Sequence, residues 1–80
     1  MLLGNHRDSW AYGAMDAVSG TASMLEVARS FSRLYESGWR PRRTLLFCSW
    51  DGEEFGTLGS TEWVEHHHQV LRSKVAMAIQ

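Results

Sequence analysis

The chain has 80 residues, 44% of them hydrophobic and 21% charged, a composition of globular rather than disordered material. Eight Lys and Arg against nine Asp and Glu give a net charge of -1, which offers no electrostatic footprint for nucleic acid. No stretch reaches the about 18 to 20 continuous apolar residues of a bilayer span, no segment has the layout of a signal peptide, and the single cysteine, Cys48, excludes an internal disulfide.

In chain order, Leu2 and Leu3 read as the end of a first strand, and "GNHRDSWAYGAMDAVSG" as a long polar loop punctuated by glycine. From Ser19, read as a helix N-cap, apolar residues at Met24, Val27 or Ala28, Phe31, and Leu34 or Tyr35 mark one helix face, which Gly38 ends. "WRPRR" breaks the chain, because Pro41 lacks an amide hydrogen and biases Arg40 away from helical angles. Thr44 to Ser49 lacks polar alternation and reads as a strand buried on both faces of a parallel sheet. A second helix is expected from about Gly59 to Arg72, with Trp63 or Val64, His67, and Val70 or Leu71 on one side, and "KVAMAI" begins a third strand.

The order strand, helix, strand, helix, strand is that of an α/β unit with right-handed crossovers and a mainly parallel sheet. Ligands of such sheets gather at the carboxyl ends of the strands. Both polar clusters, His6 to Asp16 and Asp51 to Glu54, follow strands, so they are expected to converge on one sheet edge. Carboxylates crowded together repel, and a divalent cation is an economical way to neutralise them. Imidazole with carboxylate suits zinc, and bridging carboxylates suit paired metals roughly 3.5 to 4 Å apart. In extended chain Glu53 and Glu54 would point to opposite sides, so one is expected to bind metal and the other to hold a water as general base.

The stretches "GNHRDSWAYGAMD", "SGTASMLEVARSF" and "GWRPRRTLLFCSWDGEEFGTLGSTEW" together resemble the peptidase core of the glutamate carboxypeptidase II family, which includes the N-acetylated alpha-linked acidic dipeptidases. The resemblance runs to about Ala76 and implies a fragment of a three-layer zinc aminopeptidase-like domain, with residues 1–80 as a partial catalytic domain incomplete at both ends. Position by position it implies that His6 binds one zinc, Asp16 bridges two, Glu54 binds the other, and Glu53 is the general base. It further implies that Asp8 orients the His6 imidazole, as ligand-supporting carboxylates do. The implied reaction is hydrolysis of a C-terminal peptide bond by water activated at the metal.

Other features follow from the same resemblance. Glu62 and Glu65 match glutamates that hold a structural calcium in the family, and their i, i+3 spacing places both on one helix face. Thr57 stands where glutamate-preferring members carry a leucine beside the pocket for the substrate's terminal residue, so it is the candidate substrate contact and a departure from preference for an acidic terminus. Ala17 follows Asp16 where members carry Asp or Pro and often a cis peptide; either the loop holds that bond cis or the geometry at Asp16 differs. The family's further aspartate and distant histidine ligands lie beyond Gln80, so this chain alone is expected to be inactive or nearly so. Members are typically homodimeric, with the peptidase outside the plasma membrane. The alternative reading is a non-catalytic, transferrin receptor-like scaffold on the same fold, against which His6, Asp16, Glu53 and Glu54 argue together.

The remaining features read as structural. Three successive helical residues point about 100° apart, so His66, His67 and His68 are expected to be surface histidines rather than one metal site. "RPRR" reads as a solvated loop restraining the start of a strand, Cys48 as a small buried side chain, and Trp10, Tyr12, Trp39, Trp50 and Trp63 as packing residues.

Overall fold

The computed structural model describes residues 1–80. Five regular elements appear in the expected order: β1 (Leu2–His6), α1 (Val18–Glu36), β2 (Leu46–Trp50), α2 (Leu58–Lys74) and β3 (Ala78–Ile79), with a short 3₁₀ turn at Glu53–Phe55. The sheet order is β2-β1-β3, and both pairings are parallel. Register runs from Leu2 opposite Leu46 to His6 opposite Trp50, and Leu2 also faces Ala78. The mixed α/β architecture with a parallel sheet is therefore as the sequence pattern indicates.

Strand alternation puts the two helices on opposite faces. Phe47 meets Phe31 of α1, with ring centroids 6.4 Å apart, while Trp50 meets Trp63 of α2 at 5.4 Å. On β1, Asn5 points to α1 and bonds Thr21, whereas Gly4 points to the Trp50 side. A Cβ on Gly4 would lie 2.4 Å from Trp50 Nε1, so the indole packs where any side chain would stand. That Nε1 is buried without a hydrogen-bond partner.

Several boundaries differ from expectation. α1 starts one residue before Ser19, with Ala17 at the cap position and no side-chain cap; the Ser19 hydroxyl instead donates to the Met15 carbonyl. Its end is a Schellman turn, in which Trp39 N–H bonds Leu34 O and Gly38 N–H bonds Tyr35 O, with Gly38 at φ 98°. β2 is displaced toward its C-terminus and is not buried on both faces: Cys48 and Trp50 are buried, but Leu46 and Ser49 are exposed. The apolar run carries no polar alternation, yet one face of the strand is only partly covered.

Four residues are buried, Leu2, Ala17, Cys48 and Trp50, and the Cα radius of gyration is 14.0 Å. A compact chain of this length would have roughly 12 Å, so the packing is open. Cys48 is free and buried, as expected, and burial pushes its thiol up. Arg40 stacks 3.4 Å over the Tyr35 ring and donates to the Tyr35 and Trp39 carbonyls, which ties the "RPRR" loop to the end of α1. Two expectations about aromatics and histidines are corrected. Trp10, Tyr12 and Trp39 are exposed, although Trp10 packs on Phe55 and Trp39 on Phe31, and His67 is half-buried, stacked 4.6 Å from Trp63 with its Nδ1 at the Trp63 carbonyl.

Gly4→Ala tests the packing of β1. It is expected to destabilise the chain by about 1 to 3 kcal/mol through overpacking against Trp50, read as a lowered thermal midpoint by circular dichroism and a red shift of Trp fluorescence.

Candidate metal centre

His6 closes β1, and Glu53 and Glu54 follow β2, so parallel neighbours deliver them to the same sheet edge. The loops are joined by one carboxylate. Asp8 Oδ1 accepts the Glu53 N–H at 3.1 Å, and Oδ2 accepts the Glu54 N–H at 3.0 Å. Asp8 Oδ1 also lies 3.3 Å from His6 Nδ1, which faces the Asp8 carbonyl at 3.1 Å. Both neighbours of Nδ1 are acceptors, so that nitrogen carries the proton and leaves Nε2 directed at the remaining carboxylates.

Nε2 is 2.9 Å from Asp16 Oδ1 and 3.7 Å from Glu53 Oε2. His6, Glu53 and Glu54 each offer a ligand atom within 4.8 Å of the others. The expectation that Glu53 and Glu54 diverge rested on extended chain. They lie instead in a 3₁₀ turn flanked by Gly52 and Gly56, both at positive φ, and the tight turn holds both near His6. Asp16 reaches His6 but stands outside the three-residue group, with a largely exposed carboxylate.

The polar side of α1 fixes this arrangement. Asn5 Nδ2 donates to Thr21 Oγ1 at 2.9 Å and to the Ala17 carbonyl at 3.3 Å, and Thr21 Oγ1 donates to the His6 carbonyl at 3.0 Å. Ser9 Oγ accepts the Ala17 N–H at 3.1 Å, beside a cis Asp16–Ala17 peptide, so the loop does hold that bond cis with alanine in place. Asn5, Ser9 and Thr21 carry no ligand chemistry, and sequence reasoning passed over them. The one available signal was their small, hydrogen-bonding character beside His6 and at the start of α1.

Other expected site residues lie elsewhere. Asp51 is exposed, pairs with Arg7 at 3.7 Å and accepts the Gly52 N–H, so it does not join the cluster. Thr57 is exposed at φ 55°, its hydroxyl donating to the Gly56 carbonyl and 3.2 Å from Thr61 Oγ1. Glu62 and Glu65 are exposed on α2, and His66 and His68 are exposed without belonging to a ligand group.

The electrostatics follow from this geometry. Burial works to lower the His6 value, but the hydrogen bond it donates to Asp8 and the charges of Glu53, Asp16 and Asp8 outweigh it, so the imidazole titrates above its ordinary 6.5. Burial works to raise Asp8, and the N–H groups of Glu54 and Glu53, its own backbone and His6 hold it below its ordinary 3.8. The His6 contribution to stability is complete below 6.5 and is lost as pH rises through the raised value; the Asp8 contribution is complete above 3.8 and is lost as pH falls through the lowered one. The metal-free chain is thus expected to gain most from this pair between pH 3.8 and 6.5. One imidazole with several carboxylates suits a borderline divalent cation.

Asp8→Asn is expected to move the His6 titration, followed by ring-proton NMR, downward toward 6.5, and to weaken divalent-metal affinity by about 10- to 100-fold. An unchanged titration would contradict the role assigned to Asp8.

The model of peptidase family M28 matches residues 1–80. The probable glutamate carboxypeptidase VP8 of Zea mays is 58% identical over 74 residues, covering 92% of this chain and 10% of that protein. The probable glutamate carboxypeptidase AMP1 of Arabidopsis thaliana is 61% identical over 67 residues, covering 84% of this chain and 10% of that protein. Transferrin receptor protein 2 of Homo sapiens is 47% identical over 79 residues, covering 99% and 10%. No solved structure matches. The chain therefore spans about one tenth of the length of these relatives, and with the family model matched from end to end beside a cluster of imidazole and carboxylates, it belongs to peptidase family M28.

Proposed function

We propose that this chain is part of a zinc-dependent peptidase that hydrolyses a C-terminal peptide bond, as the names of the plant relatives suggest for those proteins. The observation that carries the reading is the convergence of His6, Glu53 and Glu54 on one sheet edge, with Asp16 against His6. His6, Asp16 and Glu54 would hold zinc. When bound, zinc would polarise the scissile carbonyl and acidify water. Glu53, with its backbone N–H anchored on Asp8, would accept the proton during attack and return it to the leaving amine. Asp8 would keep the His6 imidazole in the tautomer that presents Nε2.

Several parts of this proposal concern a longer protein. A second zinc, a calcium on Glu62 and Glu65, a homodimer and an extracellular position at the plasma membrane are what family resemblance suggests. No helix of the structure is long and apolar enough to cross a membrane. The scaffold alternative has a specific point in its favour, the 47% identity to a transferrin receptor protein. Retention of His6, Asp16, Glu53 and Glu54 together favours the peptidase, since a scaffold needs no ligand set.

Calorimetric titration of zinc into the purified chain tests the reading. His6→Ala and Glu54→Ala are expected to lower zinc affinity by about 100-fold or more, as loss of a direct ligand exceeds the about 10- to 100-fold cost of losing a supporting group, and Glu53→Gln to retain most of it. Zinc binding indifferent to His6 and Glu54 would overturn the assignment. Where turnover of N-acetyl-aspartyl-glutamate or another peptide is measured, on this chain or a longer protein containing it, Glu53→Gln is expected to reduce kcat by about 10² to 10⁴ with zinc content kept.

A further inference from the structure

The most buried residue of the chain stands outside its apolar core. Ala17 is 3% exposed, whereas Leu2, Cys48 and Trp50 form the buried apolar cluster without it. Polar contacts surround it instead. The Ala17 N–H donates to Ser9 Oγ at 3.1 Å, and its carbonyl accepts from Asn5 Nδ2 at 3.3 Å and from the Thr21 N–H at 3.1 Å. Both main-chain groups of this one residue are thus held by side chains of β1 and the loop after it. Each of those side chains stands where a glycine leaves room. A Cβ on Gly13 would collide with Ser9 Oγ, and a Cβ on Gly20 would collide with Asn5 Oδ1.

The residue that this clamp adjoins is Asp16. Its carboxylate is 69% exposed and has one side-chain partner, His6 Nε2 at 2.9 Å. A carboxylate so open is not aimed by packing around it, so its direction is inherited from the backbone it grows from. Asp8 fastens His6 to the Glu53 and Glu54 amides and makes no bond to Asp16 or Ala17. The position of Asp16 therefore needs a fastening of its own, and the Ala17 contacts supply it.

We infer that Asn5 and Ser9 are positioning residues for Asp16: by clamping Ala17 they hold the Asp16 carboxylate against His6, so that these two proposed ligands form a half-site fastened separately from Glu53 and Glu54. This rests on the metal reading of His6, Asp16 and Glu54 given above and names the residues that govern one half of it. Asn5 and Ser9 act through backbone and take no part in bond making.

The test is a pair of double-mutant cycles on zinc affinity, measured by calorimetry with chelator competition on the 80-residue chain. Ser9→Ala and Asn5→Ala are each expected to weaken zinc binding by about ten-fold. In an Asp16→Asn background the same substitutions are expected to change affinity by no more than about two-fold, the scatter of uncoupled sites. Gly20→Ala keeps the Asn5 amide but takes its space, and is expected to reproduce Asn5→Ala. A loss of similar size with and without the Asp16 carboxylate overturns the inference and leaves the metal centre standing. Amide order parameters of the metal-free chain give a readout independent of zinc. Asp16 and Ala17 are expected at about 0.85, as in rigid backbone, and below about 0.6 in Ser9→Ala, with Glu53 and Glu54 unchanged. No fall at Asp16, or an equal fall at Glu53 and Glu54, overturns the inference. Absence of zinc binding in the unsubstituted chain overturns the metal reading and the inference with it.

Discussion

The arrangement of this site depends on a single carboxylate, Asp8, shared between two loops. Its two oxygens accept the N–H groups of Glu53 and Glu54, and one of them also faces His6 Nδ1. Hydrogen bonds to an ionised acceptor are roughly twice as strong as neutral ones, and here several converge on one group. The result is a polar joint that fixes the separation of the β1 and β2 loops independently of the side chains at the cluster. Any ligand set assembled from both loops inherits its geometry from that joint.

The joint matters because apolar packing supplies little else. Four residues are buried, and the aromatic contacts that hold α1 and α2 to the sheet are Phe31 with Phe47 and Trp63 with Trp50. At the site end, Asn5 and Thr21 bind α1 to the His6 carbonyl, so the imidazole is held from behind by the backbone and from the side by Asp8. The cluster is thus positioned by polar contacts on three elements, while the opposite end of the sheet is held mainly by strand pairing.

Much of the fold was legible in the sequence because period and punctuation are local. The α1 face from Met24 through Phe31 and its stop at Gly38 are read directly, as is the order of strands and helices. The convergence of His6, Glu53 and Glu54 was legible through position, since all three follow strands and parallel pairing must bring them to one edge. What was not legible depends on tertiary contact. Ser19 has a capping side chain, yet its hydroxyl is taken by Met15 and the helix starts at Val18. Asp51 has the right type and place but is drawn off by Arg7. The relation of Glu53 to Glu54 turned on a 3₁₀ turn that the string "GEEFG" permits without dictating. Trp10 reads as a core residue by type, and only its surroundings show it facing solvent against Phe55.

The central place of β1 in the sheet carries a kinetic meaning. β1 lies at the very start of the chain, and its partners lie near the middle and at the end, Leu46 and Ala78 both facing Leu2. Such pairings are non-local, and closing the intervening chain is the entropic cost that slows parallel sheets. The helices, with local contacts, can form early, but the sheet cannot close until β2 is available, and the second edge waits for β3. His6 and Glu54 come from the two sides of the first closure, so the imidazole and carboxylates of the cluster meet only when that long loop does. A cation able to hold both would therefore favour the closed sheet at the step where the chain gains least from local structure.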